Sequence, residues 1–298
     1  MISGIIKGRV VLNMNKVGII GDIILDILLQ VDEFPVEDSE VVLKDEQYRL
    51  GGSALNTAYE LVTTQLHPLL LSTFGKDTAG DFIKEALKKA RIDDLFIFQE
   101  ETNTGKIYIL LSPNGKRTMI SSRSSMPIPM DDSIYEKFIN SINWLHCSGY
   151  LLGEEEQYER AIFAMKQAKK NRIPVSLDPG TNTVRNHLAE VLEALQYIDY
   201  FLPNREEFDL LNKSLDFDSG VSDPTFIIKE GAKGVSVKNS KGTYLVPTLR
   251  AVTATDSIGA GDAFNAGFIF GMLTTRDVKT ACQKGNEFAA RRLKKQQR

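Results

Sequence analysis

Cysteine, histidine and long apolar runs are all scarce in this chain of 298 residues. Cys147 and Cys282 stand far apart with no metal-ligand spacing, which excludes a cysteine-built metal site. They read as buried free thiols of a reducing, cytoplasmic setting. His67, His146 and His187 are scattered, so none is given a catalytic or metal role. No apolar run approaches the length that crosses a bilayer, and Lys16, Asp22 and Asp26 interrupt any signal-peptide core. Neither a membrane span nor a secretory leader is expected. Residues 1–13 read as a leader of uncertain order or an upstream start, because Met14 opens the first strand-like pattern. An excess of one charge is lacking too. Basic side chains number 36 against 39 acidic ones, and a net charge of −3 argues against nucleic acid or an anionic membrane as a partner. What remains is ordinary for a soluble globular protein: 42% of residues are hydrophobic, enough for a sizeable core.

The stretch richest in chemistry is Asp256-Ser257-Ile258-Gly259-Ala260-Gly261-Asp262, followed by an apolar, small-residue run from Ala263 to Phe268. It reads as a loop turning into a helix. Small residues let backbone N–H groups approach an anion, and a helix N-terminus adds unpaired donors and a positive dipole end. Such a place suits phosphate. A carboxylate there, Asp262, can take a proton from an alcohol while the N–H groups hold developing charge, which is the chemistry of phosphoryl transfer. The plainer reading is a tight turn with a first-turn aspartate favoured by the dipole.

In chain order, Lys16–Asp26 is an apolar run that suits a buried central strand, with Asp26 at its polar end. Short strands follow up to Leu50, and a second pair flanks Asn114-Gly115, a hairpin signal. Together they predict a small inserted β-sheet. Gly51-Gly52-Ser53-Ala54-Leu55-Asn56 opens a helix. From Asn143 onward strands and helices alternate. The pattern predicts one α/β domain over 14–298, with a mostly parallel central sheet and helices on both faces. The inserted sheet, roughly 27–50 and 103–122, sits on it. Asn204-Arg205-Glu206-Glu207 reads as a helix cap with an early glutamate. The basic C-terminal cluster from Arg291 reads as a solvated helix end.

These motifs carry a resemblance. Asp256 to Asp262 resembles the signature Asp-Thr-x-Gly-Ala-Gly-Asp of the ribokinase-like (PfkB) carbohydrate kinases, with Ser257 in place of Thr. Gly51, Gly52, Ala54, Asn56, Ala58 and Gly75 resemble the family's upstream signature, from which Gln65 departs. The resemblance implies an ATP-dependent, Mg²⁺-requiring kinase with a ribokinase-like fold and the small sheet as a lid over the sugar. It implies Asp262 as base and Gly259, Ala260 and Gly261 as backbone donors to the transferring group. Asp26, Gly51, Gly52 and Asn56 would orient the acceptor, and Arg123 would face a carboxylate or keto-sugar. Asn204 and Glu207 would serve Mg²⁺ through water. Asn204, Lys229, Gly231, Gly234 and Asn286 would line the nucleotide, Lys229 standing where many relatives have Thr and either reaching a phosphate or lying in solvent. A Gly-Ala segment common in relatives is lacking after Arg298, which puts monovalent-cation activation in doubt. A homodimer through the lid is expected. The acceptor is a sugar or sugar acid, in the order fructose, 2-keto-3-deoxygluconate, ribose. The alternatives are a nucleoside kinase, with Phe34, Tyr48 and Tyr108 as aromatic surface, and a non-catalytic sensor on the same fold.

Overall fold

The computed structural model describes residues 15–90, 92–112, 116–122, 129, 131–213, 224–248 and 258–295. Residues 1–13, the Asn114-Gly115 turn, Arg123, Asp256 and Ser257 lie outside them. The first part of the chain forms β1 (Lys16–Ile20), β2 (Ile24–Val31), β3 (Leu43–Gly51), α1 (Ser53–Val62), β4 (His67–Gly75), α2 (Thr78–Ala90), β5 (Ile97–Glu100), β6 (Lys106–Leu111) and β7 (Arg117–Ser122). Next come α3 (Asp132–Asn140), β8 (Trp144–Ser148), α4 (Glu155–Lys170), β9 (Val175–Asp178), α5 (Thr181–Asn186), α6 (Leu188–Ala194), β10 (Tyr200–Phe201) and α7 (Arg205–Asn212). Last are β11 (Thr225–Lys229), β12 (Gly234–Asn239), β13 (Gly242–Pro247), α8 (Ala260–Thr275) and α9 (Val278–Lys295).

Nine strands form the main sheet in the order β13-β12-β11-β10-β9-β8-β1-β4-β5. Only β12 runs against the rest, pairing antiparallel with β11 and β13 at one edge. Central strands such as β1 and β4 are apolar nearly throughout because both faces are covered. Val17 and Ile19 face a core shared with Ala54 and Leu55 of α1, Phe264 and Phe268 of α8 and Ala281 of α9. Ile20, Leu145 and Leu177 face a second core with Phe138 of α3, Met165 of α4 and Leu211 of α7. The lid is a separate four-stranded sheet in the order β3-β2-β6-β7. Asp77, at the end of β4, ties it down: its carboxylate accepts bonds from the Thr104 hydroxyl at 2.6 Å and the Gly80 N–H at 2.8 Å.

Three expectations change. The run from Lys16 to Asp26 is two strands, not one. It turns at Gly21, where an added Cβ would come within 2.7 Å of both Ala54 and Ser148, and Ile24 then starts the lid. Apolar periodicity cannot show that break, because both pieces are buried. Asp26 is therefore inside lid strand β2, which begins at Ile24, three residues before the expected lid boundary. The basic C-terminal cluster is not simply solvated: Arg291 and Arg292 both reach Glu60 on α1. Of the three aromatic candidates, Tyr108 packs against the core, Tyr48 is exposed beside Phe82, and Phe34 is exposed.

The helix that carries the central motif, α8, is apolar and deeply buried, and it packs closely on α9. Glycines make that approach possible. A Cβ on Gly267 would lie 2.5 Å from the Lys284 carbonyl oxygen, and one on Gly271 would lie 2.5 Å from the Ala281 Cα. Backbone cannot yield as a side chain can. Gly271→Ala is therefore expected to lose about 1–3 kcal/mol of stability by overpacking, outweighing alanine's better helix propensity. Urea unfolding with a lower midpoint and unchanged slope would bear this out, and a stabilised variant would refute the packing argument.

Candidate active site

At the C-terminal edge of the large sheet, two strand ends meet three helix starts, the usual place for ligands in open α/β sheets. Gly259 caps α8 in the left-handed region (φ 72°), which a residue with a Cβ adopts at a cost. The next residues, Ala260 and Gly261, open the helix, so their N–H groups are among the donors a helix leaves without an internal partner. One turn in, Asp262 is held by α1: the Ser53 hydroxyl donates to Oδ1 at 2.7 Å and the Asn56 amide donates to Oδ2 at 2.9 Å. The Thr57 hydroxyl lies 3.4 Å from the Asp262 carbonyl oxygen. Burial, with Asp178 adding to it, pushes the Asp262 carboxyl up to about 6, while the Ser53 and Asn56 bonds and Lys229 pull the other way. That is a carboxylate poised to exchange a proton near neutrality.

Beside it lies a buried charge network. The Lys229 ammonium, at the end of β11, donates to Asp178 Oδ2 at 2.9 Å and lies 3.5 Å from Asn265 Oδ1. The Asn265 amide donates to the same Asp178 oxygen at 2.5 Å. Burial opposes the charge on Lys229, but Asp178 and Glu207 more than offset it and raise its pKa. Burial likewise opposes the Asp178 charge, and Lys229 and the Asn265 bond hold its carboxyl below the ordinary range. Lys229 is thus neither solvated nor free. A Cβ built on Gly261 would lie 3.6 Å from its Nζ, so the ammonium flanks the glycine loop.

Asn204 and Glu207 form a capping box on α7: Asn204 Oδ1 accepts the Glu207 N–H, and Glu207 Oε2 accepts the Asn204 N–H, both at 2.8 Å. Glu207 Oε1 accepts the Thr181 hydroxyl at 2.8 Å. Burial and Asp178 raise the Glu207 pKa. Both carboxylate oxygens are engaged, and among the described residues no cluster of three acidic, histidine or cysteine groups is arranged to hold a metal directly. Oxygen donors committed in this way fit a hard cation such as Mg²⁺ held through its waters, not by direct ligation.

On the acceptor side, Gly51 and Gly52 are required by contact. A Cβ on Gly51 would meet the Asp26 carboxylate at 2.3 Å, and one on Gly52 (φ 101°) would meet the Asp22 carbonyl oxygen at 2.3 Å. Asp26 thus lies against the turn that leads straight to Ser53 and Asn56. A cavity of about 110 Å³ adjoins this turn at the ends of β1, β4 and β8, lined by Asp22, Ser72, Thr73, Tyr150, Gln157 and Asn182 among others. It does not include Asp262. Gly231 (φ 59°) and Gly234 (φ 109°) shape the turn between β11 and β12. Gly234 packs on the Val246 carbonyl, 2.3 Å from where its Cβ would be, and the Asn286 amide approaches the same carbonyl at 3.5 Å. Two groups therefore form, one around Asp262 and one along β11–β13, with Lys229 between the loop and the second.

Sequence reading missed Ser53, Asp178 and Asn265. Ser53 follows the glycine pair at a helix start and was indistinguishable from an ordinary helix-opening serine. Asp178 carried a faint signal, a carboxylate before Pro179-Gly180 at a strand end.

The large, mostly parallel sheet and the small lid sheet are shared with known proteins. A model described as pfkB family carbohydrate kinase matches residues 14–297. An ATP-dependent ribose-1-phosphate kinase of Halopiger xanaduensis is 28% identical over 91% of this chain and 89% of its own. A ribokinase of Staphylococcus aureus is 25% identical over 94% of each chain. The crystal structure of the Methanocaldococcus jannaschii nucleoside kinase superposes with a TM-score of 0.78 at 22% identity, covering 94% of this chain and 92% of that one. With a family model spanning nearly the whole sequence, this chain belongs to the PfkB family of ATP-dependent carbohydrate kinases and has the ribokinase-like fold.

Proposed function

We propose that this kinase, as a single unit over residues 14–298, transfers the terminal phosphoryl group of ATP to a hydroxyl of a sugar or sugar acid. The observation that carries the reading is Asp262, half-buried at the first turn of α8 beside Gly259-Ala260-Gly261 and aimed by Ser53 and Asn56. The carboxylate takes the proton of the acceptor hydroxyl as that oxygen attacks phosphorus. The backbone N–H groups of Gly259, Ala260 and Gly261 hold the charge that spreads over the transferring group. Lys229, beside Gly261, adds a fixed positive charge on one flank. Asp26, Gly51, Gly52 and Asn56 orient the acceptor, and Arg123 reads its carboxylate or keto group. Asn204, Gly231, Gly234 and Asn286 line the nucleotide. Asn204 and Glu207 would hold Mg²⁺ through water, and the ion would supply charge neutralisation between the phosphates. The lid excludes water, which would otherwise compete for the phosphoryl group.

A nucleoside acceptor is the second reading, supported by the likeness to the Methanocaldococcus jannaschii nucleoside kinase. The lid also presents Tyr48, Met119 and Ile120 to solvent, which supports a dimer formed lid to lid.

ATP consumption with Mg²⁺ across sugars, sugar acids and nucleosides tests the reading. A sugar or sugar acid is expected as the best acceptor, with Asp262→Asn lowering kcat by ~10² or more. Turnover of nucleosides alone would replace the acceptor class, and undiminished Asp262→Asn activity would remove Asp262 as base.

The raised Asp262 pKa gives a pH dependence. The base works ionised, so kcat is expected to fall as pH drops through about 6, not near the ordinary carboxylate value of 3.8. For stability the sign is opposite. A folded carboxyl titrating above its unfolded value is a burden once both states are ionised, above about pH 6. Asp262→Asn is then expected to melt higher than wild type at pH 8, with the gain shrinking towards pH 4. A lower melting temperature at pH 8 would contradict the burial argument. For the dimer, Ile120→Glu is expected to give monomers in sedimentation velocity, and an unchanged sedimentation coefficient would count against a lid interface.

A further inference from the structure

Arg291 and Arg292 share one carboxylate. Glu60 of α1 is only 3% exposed at its side chain, and two guanidiniums from α9 converge on it. Arg291 satisfies it: its Nη2 donates to Glu60 Oε2 at 3.0 Å and to the Thr63 hydroxyl at 3.1 Å, and its guanidinium lies over the Phe288 ring at 4.2 Å. Arg292 is held more loosely, with Nη1 3.7 Å from Glu60 Oε1. Its opposite edge faces the glycine loop. A Cβ built on Gly259 would lie 3.4 Å from Arg292 Nη2 and 3.5 Å from Nε. That Nε is buried with no hydrogen-bond partner, as is the Nε of Arg291.

Among the described residues, two arginines share one glutamate, and the more loosely held guanidinium is the one beside the loop. What sets Arg292 apart from Arg291 is direction: its Nε–Nη2 edge lies against Gly259, while only Nη1 approaches the carboxylate. A phosphate oxygen would satisfy that edge, since guanidinium binds phosphate through paired, charge-assisted bonds. Lys229 flanks the same loop at Gly261, but its charge is already matched by Asp178.

Resting on the kinase reading, we propose that Arg292 is a ligand of the donor nucleotide's phosphates: its Nε–Nη2 edge binds phosphate oxygens at the Gly259 end of the loop. Glu60 and Arg291 hold it there.

Calorimetric titration with Mg-ADP, Mg-ATP and adenosine separates this role from a structural one, because adenosine has no phosphate. Arg292→Gln is expected to weaken ADP and ATP roughly tenfold or more, as for loss of a bond to a charged group, and to leave adenosine affinity unchanged. Arg292→Lys is expected to recover only part, lacking the planar fork. Arg291→Gln is expected to lower the melting temperature while the ratio of ADP to adenosine affinity stays at the wild-type value. Equal losses for ADP and adenosine in Arg292→Gln, or no loss for either, would overturn the assignment while leaving the kinase reading intact. Wild-type protein that bound neither ADP nor ATP would overturn both.

Discussion

One half-buried carboxylate is held from across the chain, and the site is arranged around it. Asp262 is partly withdrawn from solvent, which makes its charge costly, and the hydrogen bonds that offset part of that cost come from Ser53 and Asn56 on α1. The partners are 209 and 206 positions away in sequence. For them to meet, the N-terminal turns of α1 and α8 must lie side by side at one edge of the sheet. That requirement accounts for the small residues on both helices: Ala54 and Ala58 on one, Ala263, Ala266 and Gly267 on the other, all buried. The two helices, with α9 behind them, form one layer over the sheet, so the contact that packs the helices also holds the Asp262 carboxylate.

Two ion clusters frame the glycine loop, and they differ in balance. On the Gly261 side, Lys229 is matched by Asp178, with Asn265 bridging the pair and Glu207 close enough to be raised by the Asp178 charge. Removing either member would leave a buried charge uncompensated, which is far more damaging than never having had the pair. On the Gly259 side, Glu60 faces two arginines, so among the described residues the cluster keeps a surplus of positive charge. A loop whose backbone N–H groups already favour an anion thus lies between one neutralised cation and one with charge to spare.

The catalytic end of the molecule was largely legible beforehand. Gly259-Ala260-Gly261 and Asp262 do open a helix, Gly51 and Gly52 do sit where a side chain cannot, and Asn204 with Glu207 forms the expected cap. Each is a local pattern, so spacing was enough. Lys229 had two open readings, phosphate or solvent, and its partner proved to be Asp178, 51 positions earlier. Asn56 was expected to orient an acceptor, and its amide also donates to Asp262, a contact that spacing could not show. Asp26 was placed at the end of a central strand, yet the run breaks at Gly21 and the residue belongs to the lid.

The sequence by itself determined the alternation of strands and helices, the hairpin lid, the anion loop at a helix start and the membership in a kinase family, because periodicity and short motifs are encoded within a few neighbouring residues. Only the tertiary structure decided which charges meet. Ser53 on Asp262, Asn265 on Asp178, and Arg292 against Gly259 with Glu60 behind it all join residues of different elements. Those pairings follow from the order of strands in the sheet and the helices packed over it, and no local pattern carries that order.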